Sequence, residues 1–128
     1  MKGLAQTCIY LLATILGIPS CTSPGASLRD GSGKLEILFL GHEKEHHNSA
    51  RFLPLLASSL SKEGIFFTYT NDPDDLNDKT LGLYDALMIY ANHEEITPAQ
   101  ETALLDYVNK GGGFVPIHCA SFCFQNSP

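Results

Sequence analysis

The chain has 128 residues, enough for one modest domain. A hydrophobic content of 44% with 17% charged residues excludes an intrinsically disordered chain. The net charge of −6, with no cluster of Lys and Arg, excludes nucleic acid as a partner, because phosphate neutralisation needs grouped cations.

In chain order, the first feature is a targeting signal. Lys2 supplies a positive start, and "CIYLLATILGI" (Cys8 to Ile18) is an apolar run too short to span a membrane comfortably. "IPSC" follows, and the whole resembles a bacterial lipoprotein signal, with cleavage before Cys21 and lipidation of Cys21. Residues 1–21 are thus expected to be a signal peptide and 22–33 a flexible tether, placing the protein in the periplasm or on the cell surface, anchored to a bacterial membrane. Of the four cysteines, only Cys119 and Cys123 then remain in the folded part. In an oxidising compartment they are open to bridging or to metal binding.

"KLEILFLG", Lys34 to Gly41, reads as a buried parallel strand. From His47 to Gly64, Phe52, Leu55, Leu56 and Leu60 fall at helical spacing, with Asn48 or Ser49 as N-cap and Gly64 as the stop. Pro54 lies early in that helix, where it does least damage. "IFFTYTN" (Ile65 to Asn71) is a second strand, and "DPDDLNDKTLGL" a solvated acidic loop with a helical turn, lacking the spacing of a calcium loop. "YDALMIYAN" (Tyr84 to Asn92) is a third strand. Thr97-Pro98 opens a helix that ends at Gly111, with Ala103, Leu104, Tyr107 and Val108 on one face. Phe114 to His118 is a fourth strand.

This alternation predicts an α/β fold: a flavodoxin-like, three-layer arrangement around a mainly parallel sheet. The chain ends just after a strand, so the sheet is expected to be incomplete at its C-terminal side, as in a piece of a longer protein. Residues that follow parallel strands gather at one edge, where ligands bind. His42, His46, His47, Asn92, His93, Glu94 and His118 all fall at that rim. Imidazoles flanked by carboxylates suit a divalent ion such as Zn²⁺, with His47, His93 and His118 as the expected ligands. They serve equally as acid–base groups near neutral pH. His118 and His47 are the expected catalytic pair, and His42, His93, Glu94 and Asn92 the expected ligand-binding residues. The competing reading is a solvated polar rim without chemistry.

"GGGFVPIHCAS" after an amphipathic helix, with "HHNS" after the first strand, resembles the ThuA-like (trehalose utilisation) family, of class I glutamine amidotransferase-like fold. The likeness covers Leu35 to the C-terminus and marks residues 34–128 as a partial ThuA-like domain. It implies carbohydrate metabolism, with a sugar or keto-sugar derivative as ligand. Glutamine amidotransferases present cysteine within Gly-x-Cys-x-Gly. Here His118 falls at the strand tip, and Pro116 and Ala120 stand where the glycines would be. Cys119 comes one residue late, so its side chain is expected to point away from the rim into packing, and glutaminase activity is not expected. The alternative on the same fold is a non-catalytic module that binds a ligand or docks a partner.

Overall fold

A computed structural model describes residues 33–44 and 47–128. The expected signal peptide, most of the tether with the lipidation site Cys21, and His46 lie outside the described residues. The strands are β1 (Leu35–Gly41), β2 (Glu43–Lys44), β3 (His47–Asn48), β4 (Ile65–Thr70), β5 (Ala86–Tyr90) and β6 (Gly113–Pro116). The α-helices are α1 (Ser49–Leu60), α2 (Asp78–Leu81) and α3 (Pro98–Asn109).

Four strands form one parallel sheet in the order β4-β1-β5-β6. The chain moves from β1 outward to β4, then crosses back to β5 on the other side of β1. That reversal opens a crevice at the carboxyl ends of β1 and β5, where ligands of such sheets bind. Alternate residues of the central strands feed opposite faces. Leu38, Leu40, Leu87 and Ile89 pack with Ala103 of α3 on one face, while Ile37, Phe39 and Met88 pack with Leu53 and Leu56 of α1 on the other. The result is the expected three layers.

The helix faces differ in detail from the periodicity. On α1, Leu53 and Leu56 are the packed residues, whereas Phe52 and Leu55 are exposed. On α3, Ala103, Leu104 and Tyr107 pack and Val108 is exposed. Asn48 caps α1 by accepting the Arg51 N–H at 3.0 Å. α3 carries a full capping box between Thr97 and Gln100, and Gly111, with φ of 96°, takes the left-handed turn after it. The acidic loop consumes its own carboxylates: Asp72 accepts the Asp74 N–H, and Asp75 accepts the Thr70 hydroxyl.

One element was not expected from the sequence. Glu43–Lys44 pairs antiparallel with His47–Asn48, making a small hairpin between β1 and α1. Its base is closed by reciprocal bonds: the Ser49 N–H donates to the His42 carbonyl at 3.1 Å, and the His42 N–H to the Ser49 hydroxyl at 3.2 Å. The fourth strand is also shorter than expected, and its register against β5 ends at Pro116.

Candidate functional site

The site grows from the carboxyl ends of β1, β5 and β6. At the end of β6 the chain leaves the strand at Ile117, and His118 adopts φ of 52°, a left-handed conformation rare for a residue with a Cβ. A 3-10 helix follows at once, His118–Phe122. His118 is therefore the residue presented by the strand-to-helix turn, and its side chain is exposed. The returning strand of the hairpin, β3, delivers His47 at its turn end, and its ring centroid lies 5.1 Å from that of His118. Tyr90, at the end of β5, borders both rings at 6.4 and 6.0 Å.

The expectation for Cys119 divides. Its side chain is buried, as expected, but it does not point away from the rim. Its sulfur and one nitrogen each of His47 and His118 all lie within 4.8 Å of one another. The reason is local. In a continuing strand neighbouring side chains would take opposite faces, but a 3-10 helix turns about 120° per residue, so positions 118 and 119 border the same space. Burial pushes the Cys119 thiol above its ordinary pKa, with partial relief from a backbone hydrogen bond. The neutral thiol is thereby favoured over the free thiolate that a nucleophile requires. Cys123 is also a free thiol, donating to the Ala91 carbonyl at 3.1 Å.

His93 stands differently from its expected place among the metal ligands. Its Nε2 lies 3.2 Å from the Gly41 carbonyl. A carbonyl only accepts, so that nitrogen carries the hydrogen, and Nδ1 keeps its lone pair; it is distance from the other donors that leaves His93 outside their group. Among the described residues the grouped donors are His47, His118 and Cys119, with Cys119 in the position expected for His93. His93 instead ties the loop after β5 to the tip of β1. The same loop is held from the other side, where Phe124 and Gln125 N–H groups donate to the carbonyls of His93 and Glu94 at 2.8 and 2.7 Å. The Glu94 side chain itself is exposed.

His42 is only 5% exposed. Its Nδ1 accepts the backbone N–H of Asn92 at 3.1 Å, and its ring lies 5.9 Å from His93 and 6.2 Å from His47. Burial first, then the neighbouring charges of His93, Lys44 and His47, lower its pKa below the usual 6.5. The four described histidines thus form one row, His93–His42–His47–His118, across the crevice.

Two supporting residues escaped the sequence reading. Ser49, fully buried, accepts from the His42 N–H and donates to the Tyr90 carbonyl, joining three parts of the rim. Tyr69 fills the space that a side chain at Gly41 would take. The signal for Ser49 was its place at the helix start, which reads equally well as a simple cap.

The three donors suit a metal. Tetrahedral ligands ~2.0–2.3 Å from a zinc ion stand ~3.3–3.8 Å apart, so the 4.8 Å spread closes with shifts of about 1 Å. Two imidazoles and a thiolate leave a fourth position open, as catalytic rather than structural zinc sites do.

A family profile described as trehalose utilisation (ThuA) matches residues 35–128. A search of curated proteins found no match. Among solved structures, a ThuA-like protein from Bacteroides uniformis is similar at 20% identity and a TM-score of 0.50, covering 82% of this chain and 41% of its own. That likeness concerns the fold, and the chain spans less than half the length of that protein. The profile covers most of the sequence, and the chain belongs to the ThuA (trehalose utilisation) family.

Proposed function

We propose that this chain carries a metal-assisted site for a sugar or keto-sugar, with a divalent ion, Zn²⁺ by preference, held by His47, His118 and Cys119. The observation that carries the reading is the convergence of these three donors at the carboxyl edge of the sheet. Family membership supports the carbohydrate part. The donor set favours a borderline ion over Mg²⁺ or Ca²⁺, which prefer oxygen. Such an ion, when bound, polarises a carbonyl oxygen and acidifies the adjacent C–H. His47 and His118 are then the residues on which turnover depends, by fixing where that oxygen sits.

A second reading rests on the 5.1 Å spacing of the His47 and His118 rings. Without an ion, this pair serves as general acid and base. A third keeps the fold as a non-catalytic binding module. One experiment separates them. Protein purified without chelators is analysed for metal, then incubated with fructose in D₂O, with and without added Zn²⁺. Deuterium entering beside the carbonyl only in the presence of the ion, and not in His118→Ala, supports the proposal. Exchange without metal favours the acid–base pair. Sugar binding with no exchange under either condition favours the module.

We also propose that the protein is exported and anchored through Cys21, on the strength of the apolar run and the "IPSC" sequence. Cys21→Ser is expected to move it from the membrane to the soluble fraction. Unchanged fractionation would contradict the anchor.

A further inference from the structure

Among the described residues, two that are not glycine have a left-handed backbone, His118 with φ of 52° and Phe124 with φ of 60°. They bracket one stretch of chain whose two ends pack on opposite faces of the sheet. Ile117 packs with the cluster of Ile37, Phe39 and Met88, whereas Ala120, Cys123 and Phe124 pack with the cluster of Leu38, Leu87 and Ile89. Residues 117–124 therefore form an arch over the carboxyl edge, with His118 and Cys119 near its crown. Left-handed conformations of residues with a Cβ persist only where the surrounding contacts over-determine them, so the arch needs an anchor at each foot.

The near foot is fixed by the sheet, through the Ile117 N–H donating to the Ile89 carbonyl at 2.8 Å. The far foot is fixed to the loop after β5, residues 91–97, which has no regular structure of its own. Successive residues grip that loop. Cys123 Sγ donates to the Ala91 carbonyl at 3.1 Å, and the Phe124 and Gln125 N–H groups donate to the carbonyls of His93 and Glu94 at 2.8 and 2.7 Å. The Asn126 side chain then closes on Ile96 twice: its Oδ1 accepts the Ile96 N–H at 2.9 Å, and its Nδ2 donates to the Ile96 carbonyl at 2.8 Å. Ile96 is only 5% exposed, so its backbone groups need a protein partner. A carboxamide offers donor and acceptor on one planar group, which a carboxylate does not.

We propose that Asn126 is a positioning residue for the metal site: by clasping Ile96 it holds the far foot of the arch, and so keeps His118 and Cys119 beside His47 without itself touching ion or ligand. This assignment rests on the metal-site reading above for what the donors hold. The clasp governs how readily the arch opens, which is measured without any ion. In the competing case Asn126 adds to global stability alone.

The experiment compares the full chain with Asn126→Leu, which leaves both Ile96 groups unpaired, and Asn126→Asp, which keeps the acceptor alone. Metal-free protein is alkylated with iodoacetamide at several urea concentrations below the unfolding transition, and the rate at Cys119 is read by mass spectrometry. Cys119 is expected to react about tenfold faster in Asn126→Leu, the usual order for lost hydrogen bonds. Urea should barely change that rate, because a local opening exposes little surface. Asn126→Asp is expected to fall between the two. Asn126→Leu is also expected to bind Co²⁺ about tenfold more weakly, with an unchanged thiolate-to-cobalt charge-transfer band at saturation, since the donors are the same and only their arrangement is loosened. An unchanged Cys119 rate or an unchanged Co²⁺ affinity overturns the proposal. So does a faster rate that climbs steeply with urea, which is exposure by global unfolding. Should Asn126→Leu fail to fold, Asn126→Asp decides by the same readouts. A native chain that binds no Co²⁺ defeats the metal reading, and faster, urea-independent alkylation of the variants in that case leaves the clasp standing. Native Co²⁺ binding with the band, matched by Asn126→Leu, defeats the clasp and leaves the metal reading intact.

Discussion

His118 shows how one backbone conformation assigns chemistry. Its left-handed φ ends the strand and starts the 3-10 turn, which exposes its own ring and brings the next side chain alongside. Cys119 thereby stays buried yet borders His47 and His118, and burial, which raises its thiol pKa, disfavours a nucleophile. His42 plays the opposite part, a buried ring held neutral. Its folded pKa is below the unfolded value of 6.5, so the unfolded chain takes up a proton that the folded chain resists. Its contribution to stability is complete above the unfolded value and is lost as pH falls through that value, levelling off below the folded one. We expect the denaturation midpoint to fall on acidification from about pH 7 to pH 5, and His42→Gln to flatten that slope. An equal slope in the variant would assign the effect to other groups.

At the scale of elements, the tip of β1 is the critical join. A Cβ at Gly41 would stand 2.6 Å from both Ser49 Cβ and Tyr69 Cε2, so the hairpin, α1 and β4 all close against a position that tolerates no side chain. Gly41→Ala is expected to destabilise the fold by about 1–3 kcal/mol, the usual cost of overpacking, and to displace His42 and His47 together. A melting temperature equal to the native one would refute this packing. The strands and both long helices were legible in the sequence because their signals are local: apolar runs, Asn48 and Thr97 as caps, glycines as stops. The histidine rim was legible too, since a parallel sheet alone decides which loops share an edge. What was not legible depends on contacts remote in sequence. The separation of His93 from the other donors, the 3-10 turn after β6 that brings Cys119 beside His47 and His118, and the pairing of Glu43–Lys44 with His47–Asn48 have no strong local signal.

At the scale of the molecule, the sheet formed by the described residues has two outer strands. β4 and β6 are the outer strands, and β6 exposes Phe114 at 43% and Val115 at 39% on opposite faces. Pro116 removes one backbone donor from this strand, a feature that blunts edges, but the exposed aromatic and branched side chains work against it. Concentration-dependent association is therefore expected by light scattering, and Val115→Lys should reduce it. Scattering that is independent of concentration in the native chain would argue that the edge is harmless.

The proposed site has His47, His118 and Cys119 closing around one divalent ion. Cobalt substitution reads it most directly, because a thiolate bound to Co²⁺ gives a near-ultraviolet charge-transfer band that nitrogen and oxygen ligands do not. That band is expected in the native protein at one ion per chain, with its loss in Cys119→Ser and weaker ion binding in His47→Ala and His118→Ala. A native protein that binds Co²⁺ without the band, or binds none at all, contradicts it.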